Sequence, residues 1–278
     1  MNWRKWLVVP TLVVLTACTS STQQGATGIT RKQLLLLPSS QVDAMALQSY
    51  KGELDAARKK STLNTDKATL ERIRRIADRL VPQVAVFRPD AVRWGWEVNL
   101  ETRNELNAYC APGGKIMFFT GIIERLKLND DEIAAIMGHE IAHALREHGR
   151  ERISQAYAQQ AGMTLLAVLT NMDSKKAALL QTATTLGLTL PHSRGQESES
   201  DVMGVELMAR AGFDPRASVS LWQKMNAANK SAPPAFLSTH PSSAQRIDEL
   251  QGQMATVLPL YEAARRNPPK APAIIPRS

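Results

Sequence analysis

The stretch from His139 to His143 constrains the fold more strongly than any other part of the chain. It reads His-Glu-Ile-Ala-His, so two histidines stand four residues apart with a glutamate beside the first. Residues four apart lie on the same face of a helix, which lets both imidazoles bind one metal ion. Glu140 then projects into the same cleft, where its carboxylate can act as general base toward a metal-activated water. The spacing therefore predicts a helix that carries a hydrolytic zinc site.

The residues around this motif predict that its helix is buried. Residues 129–132, Asn-Asp-Asp-Glu, suit a helix N-terminus, and the positions that follow are mostly apolar. A surface helix with two solvated histidines is the alternative. However, a helix that is apolar around most of its circumference is buried, and buried histidines need polar partners. A shared metal ion is the simplest partner for both of them.

A catalytic zinc takes three protein ligands, so one more ligand must come from elsewhere in the chain. Glu197 and Asp201 stand four residues apart, and a helix would place both on one face. We predict that Glu197 binds the metal and that Asp201 accepts a hydrogen bond from a ligand imidazole. The alternative is an ordinary acidic helix start. Glu199 lies off this face, and its position predicts a solvated side chain.

Five motifs follow one another along the chain. They are Asn-Ala-Tyr-Cys-Ala-Pro-Gly-Gly at 107–114, the His-Glu-Ile-Ala-His motif at 139–143, Ser-Arg-Gly-Gln-Glu-Ser-Glu-Ser-Asp-Val-Met-Gly at 193–204, Gly-Phe-Asp-Pro at 212–215, and Ser-Thr-His-Pro-Ser-Ser-Ala-Gln-Arg-Ile at 238–247. Together they resemble the zinc metallopeptidases of the HtpX, BepA and LoiP type, relatives of the CAAX prenyl protease. The resemblance covers residues 65–255. Two positions depart from the family pattern: Ser200 replaces the usual alanine, and His192 stands where an aromatic residue is frequent.

The resemblance implies an α+β fold, mainly helical, in which a zincin domain of the gluzincin type has a small β-sheet beside the active-site helix. It also implies that His240 lies near the metal, where it would stabilise the oxyanion or occupy the position of the water and keep the enzyme latent. We predict a catalytic role for Arg246 as well, in orienting the substrate or the oxyanion. The alternatives are a histidine at a helix start and an ordinary helix salt bridge. His148 is five residues after His143, so we expect it at the surface.

The N-terminus predicts export and lipid attachment. Residues 1–17 contain two basic residues and then an apolar run of about a dozen residues, which is typical of a signal peptide and too short to cross a membrane. The segment Leu-Thr-Ala-Cys that ends at Cys18 resembles a bacterial lipobox and predicts lipidation of that cysteine. A soluble secreted protein cut near the same place is the alternative. Thr19 follows in place of an aspartate, and by analogy this favours the outer membrane, with the protein facing the periplasm.

Composition divides the remainder of the chain into three parts. Residues 18–38 hold Cys18 and then a stretch rich in serine, threonine, glutamine and glycine, which predicts a flexible tether. Residues 39–265 form the predicted metallopeptidase domain. Residues 266–278 are rich in proline and are predicted to be disordered. Apolar periodicity predicts helices over 41–60, 66–80, 131–148, 152–170, 175–187 and 195–211 and from residue 241 onward. None of them is long and apolar enough to span a bilayer, which favours the periplasmic branch of the family.

Alternating apolar and polar residues predict a small sheet. The predicted strands are 94–100, 105–109 and 115–120, with a turn at 112–114. A sheet edge beside a zinc site can hold an extended peptide through main-chain hydrogen bonds. We predict that the strand at 115–120 is this edge, and a plain core hairpin is the alternative. The predicted substrate contacts are Lys115, Ile116, Met117 and Phe118.

The charge pattern excludes one class of partner. The formal net charge is +8, but the basic residues are spread and form no run that alternates with aromatic residues. This pattern predicts no nucleic-acid binding and at most a weak attraction to anionic membrane headgroups. If Cys18 is acylated, Cys110 is the remaining cysteine, and we predict a buried, unreactive thiol.

Together these features predict a membrane-anchored periplasmic endopeptidase that uses one Zn²⁺ per chain to cleave misfolded or stalled envelope proteins. The predicted partners are protein or peptide substrates, the membrane through the lipid anchor, and the outer-membrane assembly machinery. A chaperone-like assembly factor for outer-membrane proteins that cleaves only occasionally is the main alternative. A zinc hydrolase that does not act on peptides is a third. The intact motif favours chemistry, because a pure binding protein has no need of Glu140.

Overall fold

The computed structural model of the protein describes residues 18–169, 192–229, 235–241, 244–269 and 275–276. The predicted signal peptide and the helix predicted over 175–187 lie outside these residues. The fold is mainly helical with a small mixed sheet, as predicted. The strands are β1 (Cys18–Thr19), β2 (Gln33–Leu34), β3 (Glu97–Glu101), β4 (Ala108–Ala111) and β5 (Lys115–Phe119). The α-helices are α1 (Ser39–Lys59), α2 (Lys67–Leu80), α3 (Thr120–Arg125), α4 (Asp130–Leu145), α5 (His148–Leu169), α6 (Arg194–Arg210), α7 (Ala217–Asn229), α8 (Ala235–Thr239) and α9 (Ala244–Arg266). Two 3₁₀ segments, Val81–Val86 and Pro89–Arg93, connect α2 to β3.

The order of strands in the main sheet is β3-β5-β4, with β3 parallel and β4 antiparallel to β5. The prediction that the strand at 115–120 forms the sheet edge was therefore wrong, because β5 is the middle strand and bonds to a neighbour on each side. Successive side chains of a strand face opposite sides of the sheet. Ile116 and Phe118 enter the main core. Met117 and Phe119 pack in a smaller cluster with Tyr50 of α1.

Helix α4 carries the His-Glu-Ile-Ala-His motif and lies in the centre of the core. It begins with a reciprocal cap, in which the Asn129 side chain accepts from the Glu132 main chain and the Glu132 side chain accepts from the Asn129 main chain. Every residue from Glu132 to Leu145 is buried. The helix ends at Leu145 rather than at residue 148, because Glu147 has a φ of 49° and cannot continue a right-handed helix.

Helix α6 also begins with a reciprocal cap, between Ser193 and Gln196, and it packs directly against α4. The two helices approach each other at a pair of glycines. A methyl group at Gly204 would lie 2.7 Å from the main-chain nitrogen of His139, and one at Gly138 would lie 2.8 Å from the carbonyl oxygen of Gly204. Only glycine allows this spacing, which brings the two helices that carry the predicted metal ligands together.

The segment from residue 18 to residue 38 differs from the predicted flexible tether. Strand β1 pairs with β2, and Ile29 is buried in the main core. The buried carboxylate of Glu206 accepts hydrogen bonds from the main-chain nitrogens of Ala26 and Thr27. The polar composition that predicted a tether instead supplies hydrogen bonds to buried groups, which composition alone does not reveal.

The C-terminal tail, predicted to be disordered, also contacts the domain. Ile275 is buried, and its main-chain nitrogen donates to the carboxylate of Asp78 in α2.

No helix in the described ranges has both the length and the apolarity that a membrane span requires.

Candidate metal centre

Three side chains from two helices point their ligand atoms at one position. Nε2 of His139 lies 3.0 Å from Nε2 of His143, and these nitrogens lie 3.6 and 3.3 Å from the two carboxylate oxygens of Glu197. Zinc–nitrogen bonds are about 2.0–2.1 Å long, so two ligand atoms on a tetrahedral zinc ion lie about 3.3 Å from each other. The observed separations bracket this value, so the three residues fit a zinc ion without rearrangement.

The charges around the three residues also suit a cation. Burial opposes ionisation of Glu197, but His240, His139 and Arg246 lower its pKa to about 2, so the carboxylate is anionic at neutral pH. Burial, aided by neighbouring imidazoles, lowers the pKa of His143 and keeps this residue in the neutral form that binds metals. For His139, Asp201 and Glu197 outweigh burial and raise the pKa, so these carboxylates favour positive charge beside the ring, which a bound cation supplies in place of the proton on Nε2.

Glu140 is buried beside this cluster and not among the ligand atoms. Burial raises the pKa of its carboxyl group above the ordinary value, toward the range that suits a general base. The main-chain nitrogen of Cys110 in β4 donates to this carboxylate and partly offsets the shift. Helix α4 thus directs the two histidines to the metal position, while Glu140 faces the sheet.

Asp201 lies where it was predicted, with Oδ1 2.9 Å from Nδ1 of His139. A carboxylate can only accept, so Nδ1 of His139 carries the proton and Nε2 presents its lone pair to the metal position. Arg246 donates from Nε and Nη2 to Asp201 at 2.6 and 2.8 Å and lies 2.7 Å from Glu197. Its guanidinium also stacks on Trp222 at 3.8 Å.

The catalytic role predicted for Arg246 stays a prediction, and the structure gives the contacts of its side chain. The side chain is 4% exposed, and its donors are directed at Asp201, Glu197 and the carbonyl oxygen of Pro241. It therefore fixes the two carboxylates of α6. The resemblance placed Arg246 near the site but could not show which way the guanidinium points.

His240 lies close to the metal position, as the resemblance implied. Its Nδ1 lies 3.2 Å from Nε2 of His139 and 3.0 Å from Oε1 of Glu197, distances that match a fourth corner of the same tetrahedron. Its Nε2 lies 3.3 Å from Oε1 of Glu140. His192 stacks on His240, with ring centroids 5.0 Å apart.

Two further residues belong to the site, although their positions predicted otherwise. His148, expected at the surface, is fully buried and contacts His143. Glu199, expected in solvent, is buried and bonds to His148 and Arg146. The prediction for His148 assumed one continuous helix through residue 148, but the reversal at Glu147 starts a new helix and turns His148 back toward α6. No signal in the sequence marks that reversal, because glutamate rarely adopts such a φ.

A cleft of about 290 Å³ opens beside the cluster. Strand β4 forms one wall, and Glu140, His143 and His240 lie at its base. The main chain of Phe119 donates to Asn107, and that of Gly114 donates to Ala111, so in an antiparallel ladder the intervening even-numbered residues turn away from β5. The main-chain groups of Ala108 and Cys110 therefore face away from β5, and the Ala108 nitrogen donates to the side chain of Asn107. Burial raises the pKa of the Cys110 thiol, which disfavours the reactive thiolate.

A buried His-Glu-x-x-His helix, a carboxylate from a second helix and a glutamate at the base of an adjoining cleft define the class of zinc metallopeptidases. Within that class the chain belongs to peptidase family M48, whose model matches residues 67–254. This match confirms the resemblance drawn from the motifs and identifies zinc as the metal of the family.

Individual relatives cover a similar part of the chain. The chain is 37% identical over 158 residues to the mitochondrial metalloendopeptidase OMA1 of Schizosaccharomyces pombe, which covers 56% of this chain and 46% of that protein. It is 32% identical over 179 residues to OMA1 of Saccharomyces cerevisiae, covering 62% and 50%. It is 26% identical over 185 residues to the beta-barrel assembly-enhancing protease of Escherichia coli, covering 63% and 38%. The chain therefore spans half the length or less of these relatives.

Proposed function

We propose that this protein is a zinc-dependent endopeptidase of the gluzincin type, with His139, His143 and Glu197 as metal ligands. The observation that carries the proposal is the convergence of these three ligands within 3.0–3.6 Å of one another at the base of a cleft that also holds Glu140. When bound, zinc supplies a Lewis acid that polarises a peptide carbonyl and lowers the pKa of a water molecule. Glu140 accepts the proton of that water and later delivers it to the leaving amine.

The substrate peptide binds as an additional strand against β4. Ala108 and Cys110 line the cleft, and their main-chain carbonyls accept from an extended peptide whatever its side chains are, because the Ala108 nitrogen donates to Asn107 and the Cys110 nitrogen donates to Glu140. A peptide on this edge passes Glu140, because the main chain of Cys110 contacts that carboxylate. The predicted substrate contacts of β5 are replaced by those of β4, one strand nearer to the metal position.

His240 holds the enzyme in a latent form. Its Nδ1 occupies the fourth corner around the metal position, where the reacting water has to bind, and its Nε2 lies against the carboxylate of Glu140. Activity therefore requires His240 to move, and once displaced its imidazole stabilises the oxyanion. His240 lies directly after α8 and outside that helix.

The protein acts in the bacterial envelope as a lipoprotein of the outer membrane and removes misfolded or stalled envelope proteins. Support comes from the lipobox-like residues ending at Cys18, from the apolar run before them, and from the likeness to a beta-barrel assembly-enhancing protease. Other relatives are mitochondrial by name, so the proposal of a bacterial envelope location depends mainly on the lipobox-like residues that end at Cys18. A metabolic label with palmitate tests it: wild type incorporates the lipid and Cys18→Ala does not.

The test of the activity is Glu140→Gln in the full chain, with Glu124→Gln as the matched control, because Glu124 is exposed. Zinc content is measured together with cleavage of casein and of a peptide library, with and without a chelator. Glu140→Gln keeps its zinc and loses about 10²–10⁴-fold in rate, whereas Glu124→Gln behaves as wild type. Equal cleavage by both variants contradicts the proposal. An envelope-assembly phenotype that Glu140→Gln still rescues supports the chaperone-like alternative.

A further inference from the structure

His143 has a buried hydrogen-bond partner that catalysis as proposed above does not use. Nδ1 of His148 lies 2.9 Å from Nδ1 of His143, and Nε2 of His148 lies 3.1 Å from Oε2 of Glu199. We propose that His148, held by Glu199, is a positioning residue that orients His143 toward the metal and sets the metal affinity. This inference rests on the proposed metal site and deepens it.

The positions of the protons follow from the donors and acceptors. The carboxylate of Glu199 can only accept, so Nε2 of His148 carries a proton. A neutral His148 then has an unprotonated Nδ1, which accepts the proton of Nδ1 of His143. Nε2 of His143 is left with its lone pair, directed at His139 and Glu197. The chain of contacts from Glu199 to His143 thus selects the tautomer that binds a metal.

This arrangement parallels the one on the other histidine ligand, where Asp201 holds His139. There the carboxylate contacts the imidazole directly, whereas Glu199 reaches His143 through the ring of His148. Both carboxylates come from α6, the helix that also supplies Glu197. Helix α6 therefore provides one ligand, Glu197, and also the two carboxylates that hold the ligands His139 and His143.

Glu199 is itself fixed from several sides. Arg146 donates from Nε at 3.0 Å, and Arg31 of the N-terminal segment donates from Nη2 at 3.2 Å. These two cations hold the carboxylate of Glu199 in place, where it accepts from Nε2 of His148. A buried ion network that served only stability would not need His148 between Glu199 and a metal ligand.

A second metal ion bound by His143, His148 and His192 is the competing interpretation, since their ligand atoms also lie close together. It fits less well, because Nε2 of His148 is engaged by the carboxylate of Glu199 and is not free to bind a metal. The two interpretations differ in stoichiometry: one zinc per chain against two.

The experiment compares His148→Asn with His148→Gln in the full chain. The asparagine oxygen takes the position of Nδ1 and can still accept from His143, whereas the glutamine amide takes the position of Nε2 and reaches only Glu199. Ser154→Ala is the control, because Ser154 is also buried in α5 and accepts from the Leu36 main chain, away from the ligands. Zinc affinity is measured by competition with a chromophoric chelator, Co²⁺ coordination by its visible absorption, and stability by thermal unfolding.

We expect the asparagine variant to bind zinc within about threefold of wild type, and the glutamine variant to bind it about 10–100-fold more weakly with an altered Co²⁺ spectrum. Ser154→Ala lowers the melting temperature and leaves zinc affinity unchanged. Equal zinc affinity and equal Co²⁺ spectra for both His148 variants and wild type overturn the proposal, as does a stoichiometry of two. Zinc binding by wild type tests the proposed function, and its absence would contradict that function. The comparison of the two His148 variants tests the role of His148, so the two failures can be told apart.

Discussion

Replacing Gly204 by alanine tests whether the close approach of α4 and α6 builds the metal site. The added methyl would lie 2.7 Å from the main-chain nitrogen of His139, whereas ordinary contact begins at 3.4 Å, so the helices must separate by about 0.7 Å. Metal–ligand distances tolerate only about 0.2 Å. Glu197 lies two turns before Gly204 on α6 and moves with it. We therefore expect at least about a tenfold loss of zinc affinity and about a hundredfold loss of peptidase rate.

The stability change follows from two opposing terms. Overpacking costs about 1–3 kcal/mol, and the better helix propensity of alanine returns about 1 kcal/mol. The net loss of up to about 2 kcal/mol corresponds to a melting temperature lower by about 4–8 °C. Gly252→Ala in α9 is the matched control, since nothing lies within 4 Å of its added methyl, and it should be neutral or stabilising. Calorimetry measures the melting temperature of the two variants, and chelator competition measures their zinc affinity. A Gly204→Ala protein with wild-type stability and wild-type zinc affinity refutes the reasoning.

Three further outcomes are expected. Asp201→Asn removes the charge that holds His139 and Arg246, so zinc affinity falls about 10–100-fold in chelator competition, with helix content unchanged by circular dichroism. Removing zinc with a chelator lowers the melting temperature by about 10 °C, and adding zinc restores it, because an ion at a thousand times its dissociation constant stabilises the fold by about 4 kcal/mol; a melting temperature that does not respond contradicts a bound metal. Because the pKa of Glu199 is lowered from 4.5 to about 2 in the folded chain, its stabilisation is complete above pH 4.5 and is lost as the pH falls toward 2. Urea unfolding across that range should therefore show a smaller loss of stability for Arg31→Met than for wild type, and equal losses would exclude this ion pair as the cause.

The sheet illustrates where sequence reasoning succeeds and where it stops. Alternation and turn residues located β3, β4 and β5 to within a few residues. The order of strands does not follow from such local patterns, because any of three strands can lie at an edge. Strand β5 was expected at the edge and lies in the middle, which transfers the proposed peptide contacts to Ala108 and Cys110.

The sequence by itself determined the parts of this protein that lie within one helix. The four-residue spacings of His139 with His143 and of Glu197 with Asp201 place each pair on one face of its own helix, and helix periodicity is a local property. Only the tertiary structure decided how α4 and α6 meet, which way Arg246 points, and that His148 and Glu199 join the site. Those contacts depend on the reversal at one residue of positive φ and on long-range packing, and neither is encoded in the spacing of neighbouring residues.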